Sequence, residues 1–194
     1  MTTIGTFAAV MRLSDPELAD HAERVARHAE AVARRLGWSD ARIRQLQLGA
    51  ALHDVGKVNV PAAVLAKPAA LDPDELAHVR AHPVEGAWLL VGVPTLRPAL
   101  PYVLFHHERW DGHGYPTRRG GDDIPVEGRL LAVVDAFDAM TSERPYRSAL
   151  PVTAALDEIE RCAGSQFDPV IAQAFLAAYE AGEIEQALPL AATG

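Results

Sequence analysis

The stretch ALHDVGKVNV, residues 51–60, ends an apolar helical pattern with His53 and Asp54 side by side, then adds Gly56 and Lys57. A neutral imidazole and a carboxylate suit a divalent cation, and a carboxylate can bridge two. By itself the pair reads equally as a capped helix end. The deciding question is whether other segments bring more imidazoles and carboxylates to the same place.

Upstream, Ser39 or Asp40 caps a helix through Ile43, Leu46, Ala50 and Ala51, which delivers His53 and Asp54 at its last turn. Gly56 suits a left-handed stop, with Lys57 just past the helix C-terminus. Before that, Ser14 or Asp15 opens a helix whose apolar stripe is Leu18, Ala22, Val25, Ala29, Val32 and Leu36, and Gly37 ends it. Glu17 and His21 lie one turn apart on its flank, so both can point to one spot.

Downstream, residues 61–68 form a connector with one helical turn. Asp72 to Glu75 starts a helix with Leu76, Val79, Val84, Ala87 and Leu90 as its apolar face. It carries His78 and His82, of which one is retained as a ligand, and Pro83 predicts a bend or break. Residues 94–107 read as a helix ending in His106 and His107. The Gly-, Pro- and Asp-rich segment 108–125 is too irregular for an element, yet Trp110, Tyr115 and Ile124 can anchor it as an ordered functional loop. A helix follows, with Leu130, Val133, Val134 and Phe137 facing the core and Asp135 and Asp138 on it. After an Arg-rich turn over 141–150, two Ala-rich helices span about 152–162 and 169–181. No internal repeat, strand pattern or domain boundary interrupts this order, so the expected fold is all-α.

The 194 residues suit one compact domain, and 49% apolar content with mean hydropathy near zero excludes wholesale disorder. A net charge of −8 leaves no basic footprint for duplex nucleic acid. The single Cys162 excludes an intrachain disulfide and a thiolate zinc cage, and reads as a small core residue. The N-terminus has no convincing leader, and Leu89–Val103 is too broken by Gly, Pro and Arg to span a bilayer. The expectation is a cytoplasmic protein with no membrane association.

Collected by type, the candidate ligands are His21, His53, Asp54, His82, His106, His107 and Asp135, with Glu17 outlying. More ligands than one tetrahedral ion needs point to a cluster with a bridging carboxylate. The ordered motifs are His21-x-x-Arg24-Val25, His53-Asp54-x-Gly56-Lys57, Lys67-Pro68, His82-Pro83 and His106-His107-Glu108-Arg109-Trp110-Asp111-Gly112-x-Gly114-Tyr115-Pro116. Asp135-x-x-Asp138, Thr141-Ser142-x-Arg144-Pro145-Tyr146-Arg147 and Gln166-Phe167-Asp168-Pro169 complete the series. In this order and spacing, from about Leu13 to Leu176, the chain resembles the HD-GYP family, the bacterial branch of the HD phosphohydrolases linked to cyclic di-GMP breakdown.

The resemblance implies an HD-domain helical bundle with an ordered Gly-Tyr-Pro loop. Residues 1–12 are then a lead-in, 13–181 the phosphohydrolase domain and 182–194 a tail, with no fused receiver or sensor domain. It implies His21, His53, Asp54 and Asp135 as shared superfamily ligands, His82, His106 and His107 as ligands of a second metal with Asp54 bridging, and Glu17 as the carboxylate of three-metal members. Two or three divalent transition ions, iron or manganese, are implied, with Asp54 and Lys57 catalytic and Tyr115, Arg144 and Arg147 contacting the dinucleotide. His28, His78 and His113 match no ligand position.

The implied activity is hydrolysis of cyclic di-GMP, or a related cyclic dinucleotide, to linear pGpG or GMP. A water would attack phosphorus in line between cations roughly 3.5–4 Å apart. Diguanylate cyclases or other signalling proteins are implied as partners. Arg118-Arg119 departs from the family pattern and bears on substrate preference; Asn59 is a minor departure. Two alternatives stand: a non-catalytic cyclic di-GMP receptor or interaction module, and an HD enzyme acting on another nucleotide or as a di-iron oxygenase. Arg144, Arg147 and the Gly-Tyr-Pro loop argue against the oxygenase.

Overall fold

The computed structural model describes residues 16–143 and 148–184, with side chains from residue 18. The lead-in, the Glu17 side chain, Arg144, Arg147 and residues 185–194 of the expected tail lie outside the described residues. The element order is α1 (Pro16–Arg35), α2 (Asp40–Leu52), a 3-10 turn (Val55–Asn59), α3 (Ala62–Leu65), α4 (Pro73–Val91) and a second 3-10 turn (Pro94–Ala99). Then come α5 (Leu100–Phe105), a third 3-10 turn (Gly121–Asp123), α6 (Val126–Thr141), α7 (Val152–Arg161) and α8 (Pro169–Glu180). Among the described residues there is no strand beyond an isolated bridge between Ala163 and Phe167, so the fold is all-α.

The predicted stripe of α1 is the buried one: Val25, Ala29 and Val32 have no exposed surface, and Gly37 stops the helix at φ 74°. These residues join Ile43 and Leu46 of α2, Leu130, Val134 and Phe137 of α6, Ile159 of α7 and Phe175 of α8 in the main core. Cys162 is buried in it as well. Ser39 caps α2 through its side chain. Packing continues past residue 181, where Ile184 is buried and Glu183 pairs with Arg35. A smaller cluster, Leu52, Leu90, Ala99 and Val103, joins α2, α4, α5 and the second 3-10 turn. The main core and this cluster fix the helices that converge on the site.

Four local expectations are corrected. Of the bend or break expected at Pro83, the break is absent: α4 runs unbroken from Pro73 to Val91, started by a capping box at Asp72. The face that α4 buries is His82, Pro83, Gly86 and Leu90, whereas Leu76 and Val84 are each 37% exposed. Leu90 of the expected stripe is buried, but His82, Pro83 and Gly86 make the rest of the contact, which apolarity alone does not indicate. Gly56 is not a left-handed stop, because its φ is not positive. It is needed for close approach, since a Cβ there would lie 2.0 Å from the His82 carbonyl oxygen and 2.6 Å from the Gly86 nitrogen. Residues 94–107 are a 3-10 turn followed by the short α5, with Pro98 and Pro101 limiting regular α-helix.

Candidate metal centre

Three of the candidate imidazoles, those of His53, His82 and His106, come from places where the helix leaves a carbonyl without its usual partner. His53 caps the C-terminus of α2, and its Nδ1 donates to the Ala50 carbonyl at 2.7 Å. His106 caps α5 and donates from Nδ1 to the Val103 carbonyl at 2.9 Å. The last carbonyls of a helix have no intrahelical donor, so these two are free to accept. His82 lies mid-helix, but Pro83 has no N–H to offer the carbonyl four residues back, which is that of Val79. The His82 Nδ1 donates to that carbonyl at 2.7 Å. Proline therefore orients a histidine here instead of ending a helix.

A proton held on Nδ1 leaves Nε2 bare and facing inward, the tautomer a metal ligand needs. Nε2 of His82 and Nε2 of His106 stand 3.2 Å apart, and the Asp54 Oδ1 lies 3.2 Å from the former and 3.8 Å from the latter. With both rings as Nδ1–H tautomers, no N–H lies between them. The same Asp54 Oδ1 is buried without a hydrogen-bond partner. On the other side, His21 on α1 sets its Nε2 3.3 Å from that of His53 and 3.2 Å from the Asp135 Oδ1, with Asp135 supplied by α6. Lys57 donates to the Asp54 Oδ2 at 2.5 Å.

Two groups of donors are close enough to hold a cation: Asp54, His82, His106 and His107, and His21, His53 and Asp54. Asp54 belongs to both. Converging lone pairs, an orphaned carboxylate oxygen and the absence of thiolate all fit divalent cations. The structure thus brings together His21, His53, Asp54, His82, His106, His107, Asp135 and Lys57 from six segments of the chain. His28 is buried against Phe137, while His78 and His113 are exposed and outside the cluster.

The electrostatics match that donor set. Burial pushes His107 down to about 4 and holds His53 below its ordinary value. His106 is held well below its ordinary value by burial and its neighbours His107 and His53. These rings are neutral at pH 7. Burial opposes the ionised form of Asp54, but the ammonium of Lys57 beside it outweighs it and keeps its carboxyl well below the usual range. Asp135 is held down in the same way by His21. For His21 burial is again opposing, yet hydrogen bonds to Asp135 and Asp138 raise it to about 9.

Two residues that the sequence motifs contained, but to which no role was given, have one here. Asp138 accepts from the His21 Nδ1 at 2.7 Å and from the Arg24 Nε at 2.6 Å, so it orients the ring and is itself anchored. Its place three residues after Asp135 on α6 was the available signal. Glu108 accepts at Oε1 from the Thr117 and Arg118 backbone N–H groups, at 2.6 and 3.1 Å, and from the Thr117 hydroxyl. That carboxylate fixes the Gly-Tyr-Pro loop, and Arg118 adopts φ 56° there. Gly114 allows the close return, because a Cβ would fall 2.4 Å from the Arg109 nitrogen. The loop is also tied to the α7–α8 connection through Trp110 N–H to the Gln166 carbonyl, 3.0 Å, and Asp111 N–H to that of Ser165, 2.8 Å. Ile124 is buried, and Tyr115 stacks on His107 with centroids 4.8 Å apart, so the loop is an ordered wall of the cluster.

No helix among the described residues is long and apolar enough to cross a membrane. A family model described as the HD domain matches residues 6–171. A cyclic di-GMP phosphodiesterase of Thermotoga maritima is 38% identical over 84% of this chain and 45% of its own length. A 3'3'-cGAMP-specific phosphodiesterase of Vibrio cholerae is 37% identical over 86% of this chain and 36% of its own. A solved cyclic GMP-AMP-specific phosphodiesterase from Vibrio cholerae superposes with a TM-score of 0.58 at 32% identity, covering 96% of this chain and 41% of that one. The chain thus spans less than half the length of the curated relatives named here. With the HD pair at its centre, the donor set around it and the ordered Gly-Tyr-Pro loop beside them, the chain belongs to the HD-domain family, in its HD-GYP branch.

Proposed function

We propose that this domain is a metal-dependent phosphodiesterase that hydrolyses cyclic di-GMP, or a related cyclic dinucleotide, to linear pGpG or GMP. The observation that carries the reading is Asp54, shared by two separate donor groups. That arrangement fits two cations bridged by one carboxylate, and Glu17 is the proposed ligand for a third. Imidazole and carboxylate donors suit iron or manganese. The names of the relatives support a cyclic dinucleotide as substrate.

Bound divalent cations would supply an acidified water and neutralise charge on the phosphoryl group. The chain's own residues supply the rest. His21, His53, Asp54 and Asp135 form one face of the cluster and His82, His106 and His107 the other, with Asp54 holding their spacing. Lys57, hydrogen-bonded to Asp54, offers a point charge to the phosphoryl oxygens as negative charge builds. Tyr115 lines the wall against which a nucleoside would lie. Arg144 and Arg147 are proposed to hold the second, non-reacting phosphate.

The test is purification with metal analysis, followed by incubation with cyclic di-GMP under reducing conditions with added manganese or iron. Turnover that depends on the metal is expected. Full metal occupancy with binding but no turnover would sink the enzyme reading and leave a receptor. An Asp54→Ala variant should lose both metals together, and retention of both with full activity would refute the bridge.

A further inference from the structure

We propose that Arg80 is a specificity-determining residue that reads the guanine edge of the dinucleotide, a role resting on the cyclic dinucleotide reading above. Arg80 lies on α4, two residues before His82, and its guanidinium sits 5.4 Å from the centroid of the Tyr115 ring. That ring stacks on His107, so a short chain of contacts runs from the donor cluster through Tyr115 to Arg80. A phosphodiester at the cluster would leave its nucleoside against this wall.

The donors of Arg80 are unused. Arg24, Arg42, Arg109 and Arg129 all pair with carboxylates, whereas Arg80 has neither an ion pair nor a hydrogen bond among the described residues. The side chain is exposed beside a groove of about 800 Å³ lined by Leu76, Arg80, Val84, Trp88 and Pro116. The groove offers an apolar surface for a flat base, and the guanidinium offers two parallel N–H groups at its edge. Those groups match the O6 and N7 acceptors of guanine, whereas adenine presents a donor in place of O6. A lysine there would keep the charge but lose the paired geometry.

The experiment uses the full metal-loaded chain, Arg80→Ala and Arg80→Lys, against cyclic di-GMP, 3'3'-cGAMP and cyclic di-AMP, read as both kcat/KM and Kd. Metal content should be equal in all three proteins. Arg80→Ala should weaken cyclic di-GMP by at least about tenfold and cyclic di-AMP by less than about twofold, the difference expected of one bidentate base contact. Arg80→Lys should not restore the loss. Equal losses on all three substrates would overturn the proposal by making Arg80 only a support for Tyr115. Rescue by lysine would overturn it in favour of a point charge on phosphate. If the native chain binds these ligands without hydrolysing them, the phosphodiesterase reading fails and the Kd ratios still decide Arg80. If it binds none, both readings fall.

Discussion

His82 and His106 point their Nε2 atoms at one another across 3.2 Å, with the Nδ1 of each already committed to a backbone carbonyl. Two bare imidazole nitrogens at that distance, next to an unpartnered carboxylate oxygen of Asp54, repel one another until a cation lies among them. The helices hold this arrangement in place, because the accepting carbonyls belong to the same helices that carry the rings.

Pro83 should therefore act on metal binding more than on folding. Pro83→Ala gives α4 an N–H that competes with the His82 Nδ1 for the Val79 carbonyl. The expected result is metal affinity roughly tenfold weaker, within the range for orienting partners of a ligand. The metal-free melting temperature should stay level or rise, since alanine is the better helix former. Competitive metal titration and thermal unfolding of the metal-free variant check the two halves. Unchanged affinity would remove the orienting role.

Asp138 should behave as the orienting partner of His21. Asp138→Ala removes the acceptor of the His21 Nδ1 and leaves Arg24 without its carboxylate. Metal affinity should fall roughly 10–100-fold. The expected signature in calorimetric titration is one weakened class of site, that of His21 and His53, beside one nearly unchanged. Equal weakening of all sites would argue for a general collapse of the cluster.

Gly56→Ala should damage the site from outside it. The added Cβ would press on the backbone of His82 and Gly86, neither of which can yield without moving α4. A loss of about 3 kcal/mol is expected, at the upper end of overpacking costs. Denaturant unfolding of the metal-free chain measures it. A loss well under 1 kcal/mol would mean that the turn at residues 55–59 shifts freely against α4.

The metal-free chain should be most stable near pH 6.5. His107, lowered to about 4, takes up its proton more readily in the unfolded chain, so stability rises with pH from about 4 to 6.5. His21, raised to about 9, binds its proton more tightly in the folded chain, so its stabilisation is complete below 6.5 and lost as pH rises to about 9. Each shift corresponds to about 3 kcal/mol in the limit. At pH 7.5, metal uptake should release about one proton from His21, because a ligand imidazole must be neutral. Unfolding curves across pH 4–9 and calorimetry in buffers of different ionisation enthalpy test this, and a flat profile would contradict it.

The all-α order was legible in the sequence because helix periodicity and caps are local. The stripe of α1, a cap at Ser39 or Asp40 and a helix end at Gly37 each follow from a few neighbouring residues. The donor residues were legible too, as histidines and aspartates at helix ends and in ordered motifs. The irregular segment 108–125 was recognised as an ordered loop from its aromatic and aliphatic anchors, although not from Glu108, whose partners at Thr117 and Arg118 are set by how the loop turns back.

Only the tertiary structure decided the rest. Whether Pro83 breaks a helix depends on what takes up the freed carbonyl, and here the ring of His82 does. Whether Gly56 serves a turn or a contact depends on α4, distant in sequence. Which face of α4 is buried depends on backbone-to-backbone packing through Gly56 and Gly86, which hydropathy cannot register. The family resemblance already implied Asp54 as a bridge, but the two donor groups that share it exist only because α1, α2, α4 and α5 meet at one point. Local sequence sets torsions, donor chemistry and the carbonyls that orient His53, His82 and His106; the carboxylate that orients His21, and the meeting of these rings at one point, come only from the packed helices.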